Sequence, residues 1–322
     1  MSKVVAITGV SGYLGGRLLK RLEQDPSVSK VIGIDVRQPL GKFSKLLFYK
    51  LDINAPLDQI LKIHDASVMI HLVFIVDPMH NEALMYRINI EGTRNVLEAC
   101  EKAGVRRILM ASSATAYGAH SDNSDFLKES DRLRGNADFQ YSRDKVLMEG
   151  LCNDYQKRHP ECEIILFRPA IIMGPHVNNF ISRYMIKTFV FGVWGDDPYM
   201  QFVHEDDIAE IFYRFIASGK PGAYNIGAHG KLRFSEIARQ FRRRVIWLPK
   251  WLIYPVTALA WRLRLRFLSE APASLLNFLR HPWVVDPSKG EKELGFVYRY
   301  TTEDAIGGYI KALSCIESSN KL

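Results

Sequence analysis

Up to about residue 170 the chain alternates apolar runs of strand length with segments of helical periodicity. The runs fall at 3–8, 31–35, 47–50, 67–73, 105–112 and 163–168. A run that is apolar throughout, rather than at every second position, reads as a strand covered on both faces. Helical patterns open at about residue 12, at 56–62, at 82–103 where Gly104 ends the repeat, and at 141–159 where Pro160 stops it. Strands alternating with helices predict an α/β fold, a doubly wound parallel sheet with right-handed crossovers and helices on both faces. Beyond 170 the pattern turns more helical and less regular, which predicts a smaller, mostly helical C-terminal region.

One later stretch departs from both patterns. Residues 246–261 are rich in apolar and aromatic side chains, yet Pro249, Lys250 and Pro255 interrupt them and Arg262, Arg264 and Arg266 follow. A membrane-spanning helix needs about 20 uninterrupted apolar residues, so no transmembrane segment is expected. A core or pocket-lid helix is the first reading, an interfacial helix on anionic lipid the second, and packing against another protein the third. Peripheral membrane contact therefore stays open.

Composition narrows the class. A chain of 322 residues with 47% hydrophobic residues can bury a large core, and 24% charged residues argue against long disorder. The N-terminus enters a strand directly, and the four cysteines, Cys100, Cys152, Cys162 and Cys315, form no CxxC pair. Both point to a cytoplasmic protein with reduced thiols. The nine histidines lack metal-ligand spacing, so no metal is expected. The net charge of +8 reads first as solvated helix faces rather than a nucleic-acid surface, although an anionic cofactor, a nucleotide substrate or anionic lipid would each use it.

The first strand leads into Gly9-Val10-Ser11-Gly12-Tyr13-Leu14-Gly15. Glycines at this spacing turn the chain tightly and leave no Cβ between the backbone and a pyrophosphate, which would sit at the positive N-terminal end of the next helix. The second strand ends at Asp35, about 20 residues on, placed to accept hydrogen bonds from an adenosine ribose. That carboxylate repels a 2′-phosphate and favours NAD; Arg37 would attract one and keeps NADP as the lesser alternative. The expected division is a dinucleotide-binding Rossmann domain over 1–170, with about 198–218 returning to it, and a substrate-binding or lid region over 171–322.

Further motifs follow in order: Asp52-Ile53, Asn89-x-x-Gly92-Thr93, Ser112-Ser113-Ala114-Thr115-Ala116-Tyr117-Gly118, Tyr141-x-x-x-Lys145, Arg168-Pro169 and Phe202-Val203-His204-x-Asp206-Asp207. Together with the glycine turn they make the chain resemble the extended short-chain dehydrogenase/reductase family, its NAD-dependent epimerase/dehydratase branch, over nearly the whole length. The resemblance implies cofactor contacts from Gly9, Ser11, Gly12, Tyr13, Leu14, Gly15, Asp35, Arg37, Asp52, Ile53, Leu72, Val73, Asn89, Ala111, Tyr141, Lys145 and Arg168. It implies a catalytic set of Ser113, Tyr141 and Lys145, and a homodimer through helices at about 82–103 and 141–159.

The residue types support that chemistry. Tyr141 and Lys145, four apart on a helix, face the same way. A tyrosine titrates near pH 10 in water, and a nearby ammonium together with a cationic nicotinamide favours its phenolate. Ser113, at a strand end, can bond a substrate oxygen. The reaction read from this set is reversible hydride transfer at a secondary alcohol or ketone carbon with Tyr141 as acid/base.

On the substrate side, Phe74, Ser113, Thr115, Ala170, Ile171 and Met200 are the candidates. Ile171 stands where sugar-nucleotide relatives usually carry asparagine, Met200-Gln201 where they often place an arginine, and Val73-Phe74 where many have two alanines. A fairly apolar substrate is the first expectation, resembling the hydroxysteroid-dehydrogenase-like branch. A UDP-hexose 4-epimerase with retained NAD is the alternative, and a non-catalytic NAD(P)-binding regulatory protein the second alternative.

Overall fold

The computed structural model of the protein describes residues 2–319. Six of its strands are β1 (Lys3–Thr8), β2 (Val28–Asp35), β3 (Leu46–Lys50), β4 (Val68–His71), β5 (Arg107–Ala111) and β6 (Glu163–Pro169). With strand Gly222–Ile226 they form a seven-stranded sheet in the order Gly222–Ile226, β6, β5, β4, β1, β2, β3. Every pairing in it is parallel. The order reverses between β1 and β4, whose C-terminal ends lie together with Thr8 opposite His71. In an open parallel sheet that switch point is where ligands bind.

The apolar runs are explained by burial on both sides. Val5 and Ile7 of β1 meet Leu18 and Leu19 of helix α1 (Tyr13–Glu23) and Phe212 and Phe215 of helix Glu205–Ala217. Ala6 faces the other way, with Val96, Leu97 and Cys100 and with Cys152 and Tyr155 of helix Gln140–Arg158. Ile165 and Phe167 in β6 go to the first side, and Ile164 and Leu166 to the second.

The sequence expectations need three corrections here. The helix expected over 82–103 is helical throughout but in three pieces: Glu82–Tyr86, a π-helical turn Arg87–Glu91, and Gly92–Ala103, closed by Gly104 at φ +75°. The return to the first domain is longer and later than 198–218. Helix Glu205–Ala217 packs on α1, and Gly222–Ile226 completes the sheet beside β6, whereas Tyr199–Met200 and Phe202–His204 pair with Leu232–Arg233 and Ile171–Met173 in the second lobe. Residues 246–261 are not a core helix. Val245–Leu248 is a strand paired with Val190–Val193, and helix Lys250–Arg262 buries only Ile253 and Ala260.

The lobes are joined at the glycine turn. Glu205, fully buried, accepts hydrogen bonds from the Tyr13 hydroxyl, the Arg17 guanidinium and the His176 backbone N–H. Arg17 also pairs with Asp206. A buried carboxylate is tolerated only when so satisfied, so the cluster fixes the second lobe against the start of α1.

Candidate active site

The turn after β1 explains its glycines one by one. Gly9 has φ +74° and a Cβ there would lie 3.1 Å from the Val73 nitrogen, the chain leaving β4. A Cβ on Gly15 would come within 2.2 Å of the Gly9 carbonyl, so the helix can seat on the turn only with glycine there. A Cβ on Gly12 would meet one protein atom, the Gly9 carbonyl at 3.1 Å, and otherwise enter open space. Gly12 precedes helix α1 as its N-cap, with no side-chain cap bond and no acidic residue in the helix's first turn. Its first N–H groups are therefore available to an anion. Asp35 is held at the end of β2 by the backbone N–H groups of Ser11 (3.1 Å) and Arg37 (3.0 Å). These features fit a dinucleotide: phosphates on the turn, adenosine ribose at Asp35. Ile53, against Gly92, and the exposed Asp52, turned onto Asn54, lie past the end of β3, where the resemblance expects the adenine.

The catalytic candidates converge at the ends of β4 and β5. Ser113 follows β5 and caps the short helix Ala114–Ala116; its Oγ accepts from the Thr115 N–H at 3.2 Å and the Thr115 hydroxyl at 2.9 Å. Both hydroxyls act on Tyr141, lowering its pKa, but burial outweighs them and pushes the phenol up to about 12. The Tyr141 ring meets Phe74 edge-on at 5.7 Å and Phe139 at 5.9 Å. Lys145 is also buried; its Nζ donates to the Ala111 carbonyl at 2.6 Å and sits 3.3 Å over the Phe74 ring. Desolvation brings its pKa down to about 7 against the pull of Glu149 and Asp144.

The Lys145 Nζ also lies 5.5 Å from the centre of the Tyr141 ring. The groups that lower the phenol's pKa are Ser113 and Thr115 rather than the expected Lys145.

Two residues expected at the cofactor have their side chains committed to the scaffold. Asn89, fully buried on the π-helical turn, accepts from the Ile75 N–H at 2.7 Å and donates to Asp144 at 2.9 Å. It positions the chain after β4 against the catalytic helix. Arg168 is locked to buried Glu149 through Nε and Nη2, and its Nη1 donates to the Tyr117 hydroxyl and the Glu129 carbonyl. Ser112 adds a hydroxyl bond to the same Glu149 at 2.5 Å. Glu149 lies four residues beyond Lys145, a spacing that marks it as sharing that helix face, and sequence reasoning passed over it. Phe139 and Asp144 were likewise missed; nothing but proximity to Tyr141 flagged them. Beneath the switch point, His71 bridges Thr8 (2.7 Å) and Thr93 (3.2 Å), and burial drives its pKa down to about 3, so it is neutral.

The substrate candidates divide. Phe74 and Thr115 border Tyr141, whereas Ala170, Ile171 and Met200 belong to the same apolar cluster but are buried within it. Gln201 is spent on the carbonyls of Ala228 and Val285 and on the Val285 N–H. Arg183 is paired with Asp77 and Glu270, and Arg280 with Asp196. Arg233 is exposed and caps its own helix beside Glu236.

Fold and site together define a dinucleotide-dependent oxidoreductase of short-chain type. The chain belongs to the NAD dependent epimerase/dehydratase family, which it matches over residues 5–227. An uncharacterized protein of Mycobacterium tuberculosis is 26% identical over 317 residues, covering 96% of this chain and 84% of that protein. An Escherichia coli O157:H7 N-acetyl-alpha-D-glucosaminyl-diphospho-ditrans,octacis-undecaprenol 4-epimerase is 30% identical over 176 residues, covering 54% of this chain and 50% of that enzyme. The crystal structure of UDP-glucose 4-epimerase from Thermotoga maritima with UDP-glucose superposes with a TM-score of 0.77 at 16% identity, over 98% of this chain and 99% of that one. NAD is the cofactor of this fold's family, and Gly9, Gly12, Gly15, Asp35 and Lys145 are the residues that would hold it.

Proposed function

We propose that the protein interconverts a secondary alcohol and a ketone with NAD, through Tyr141 as acid/base, Ser113 and Thr115 as hydroxyl partners of the reacting oxygen, and Lys145 as the positioning cation. The observation that carries this reading is the convergence of the Ser113, Thr115 and Tyr141 hydroxyls, one helical turn from buried Lys145, at the ends of β4 and β5 beside the sheet's switch point. NAD, when bound, supplies the acceptor for a hydride. In oxidation the Tyr141 phenolate takes the hydroxyl proton while the carbon–hydrogen bond yields its electron pair as hydride, leaving a ketone. In reduction the phenol returns that proton. Burial favours the phenol in the free protein, so the proton is in place for the reductive direction.

The substrate we infer is more apolar than a free nucleotide sugar. A diphosphate needs fixed donors, usually bidentate arginine. Ile171 and Met200 offer none, Gln201 is committed, and Arg183 and Arg280 are already paired. Loss of charge-assisted contacts costs roughly 1.5–3 kcal/mol each. The UDP-hexose 4-epimerase reading is favoured by the likeness to sugar-nucleotide enzymes. The relative whose name carries an undecaprenol diphosphate shares the apolar part of this reading, since its named sugar sits on an apolar chain, but not the lack of a diphosphate. Calorimetric titration of the NAD-loaded protein with UDP, UDP-glucose and UDP-galactose separates them. Binding weaker than millimolar supports the apolar reading, and micromolar binding of UDP puts the 4-epimerase first. We further propose a cytoplasmic homodimer through the helices at 82–103 and 140–158.

A further inference from the structure

Helix Lys250–Arg262 is amphipathic the wrong way round for a protein surface. Its buried residues, Ile253 and Ala260, occupy one narrow face. The opposite face carries Trp251, Pro255, Leu259 and Leu263 at successive spacings of four, all exposed. Trp251 is 76% exposed, Leu259 56% and Leu263 57%; after the helix, Phe267 is 77% exposed and Leu268 55%. Contiguous apolar exposure of this kind marks an interaction surface. The charge along it is of one sign: Arg262, Arg264 and Arg266 are exposed and make no ion pair among the described residues, whereas the less exposed Arg17, Arg168, Arg183 and Arg280 do.

We propose that helix Lys250–Arg262 and the turn through Leu268 form a docking face for an anionic lipid bilayer. Large apolar side chains flanked by unpaired arginines are what an interfacial helix presents, its apolar side entering the acyl boundary and its basic groups meeting anionic headgroups. Thirteen residues of helix, about 20 Å long, lie in an interface and do not span it. A second copy of this chain is the less fitting occupant, because residues 246–268 carry no acidic side chain to meet the three arginines in a two-fold contact. The face is tied to the site by its inner side. Trp261 stacks on His80 at 3.9 Å, in the loop that follows Phe74. Tyr254 donates to Asn277 at 2.8 Å, and neighbouring Phe278 packs on Phe139, which contacts Tyr141. Seated on lipid, the protein would hold its active site close to an amphiphilic substrate; that clause alone rests on the functional reading above.

The test is vesicle flotation of the intact protein, which needs no turnover. Phosphatidylcholine vesicles containing phosphatidylglycerol should carry the protein upward at low salt, and phosphatidylcholine alone should not. Leu259→Glu with Phe267→Glu should abolish flotation while the thermal midpoint and NAD affinity stay at parent values. Arg264→Gln with Arg266→Gln should weaken partition about fivefold for each arginine and flatten its salt dependence. Three results overturn the proposal: no flotation with anionic vesicles at low salt, flotation untouched by the two glutamates, or a dimer that Leu259→Glu dissociates in a protein that does not bind vesicles. None of these bears on Tyr141, so the chemistry stands or falls separately.

Discussion

Burial shifts both Tyr141 and Lys145 toward their uncharged forms. The phenol lies at about 12 and the ammonium at about 7, each displaced first by desolvation. For Lys145 the folded pKa lies below the ordinary value of 10.5. Between about pH 7 and 10.5 the unfolded chain therefore binds a proton that the folded chain does not, and stability rises with pH across that window. Lys145→Met should raise the thermal midpoint of the ligand-free protein at pH 7, by at least about 2 °C, and the gain should vanish above pH 10.5. Scanning calorimetry at the two pH values checks both halves; an unchanged or lowered midpoint at pH 7 contradicts the desolvation account. The same variant should lose turnover, which makes Lys145 a residue kept for function at the expense of stability. At the other end of the cofactor, Asp35→Ala should weaken NAD more than NADP in a binding titration, since the carboxylate is the group that a 2′-phosphate would face. Equal losses would remove Asp35 from the ribose. These residues were legible in the sequence because each is a chemical type at a fixed spacing. Asn89 and Arg168 were legible as motif members but not as struts, because their partners, Asp144 and Glu149, sit 55 and 19 positions away.

At the scale of elements, the sheet strands and the long catalytic helix were readable from apolar runs and their stops. The π-helical turn Arg87–Glu91 was not. It has no compositional mark, and tertiary bonds hold it: Asn89 reaches both Ile75 and Asp144 from within it. Asn89→Leu should remove both bonds and leave Asp144, already raised in pKa by burial, without that donor. Urea denaturation should show a loss of roughly 1–3 kcal/mol; a change under about 0.5 kcal/mol would mean that the bonds do not hold the turn. The strand Gly222–Ile226 escaped sequence reading for a different reason. It is short, it lies at the sheet edge, and its pairing with β6 arrives after an excursion through the second lobe. Helix Lys250–Arg262 shows the converse error. Its apolar content suggested burial, but hydropathy does not say which way a face points.

At the scale of the whole molecule, the family and the doubly wound parallel sheet were readable in the sequence, whereas the apolar surface left over for an oligomer was not. On the two helices expected at the dimer, Val96, Leu97, Cys100 and Tyr155 are consumed by the core of the second sheet face. Tyr86 and Leu147 remain exposed on the same helices, with Leu84, Ile88 and Leu151 half-buried. A two-fold contact would use that smaller patch twice, so Leu147→Glu introduces two charges. Sedimentation at micromolar concentration should give a dimer for the parent and a monomer for the variant; a monomeric parent would contradict the dimer.

The central claim, that Tyr141 carries the proton in an NAD-coupled hydride transfer, is tested most directly by following nicotinamide absorbance in parent and Tyr141→Phe proteins. Each would be loaded with NAD and offered the same panel of secondary alcohols, nucleotide sugars and polyprenyl-linked sugars. The ring and its contacts with Phe74 and Phe139 survive the substitution, so NAD affinity should stay within about threefold. The rate of nicotinamide reduction should fall by roughly 10²–10⁴, the usual span for a lost general acid or base. A phenylalanine variant that still reduces the cofactor within about threefold of the parent would contradict the account.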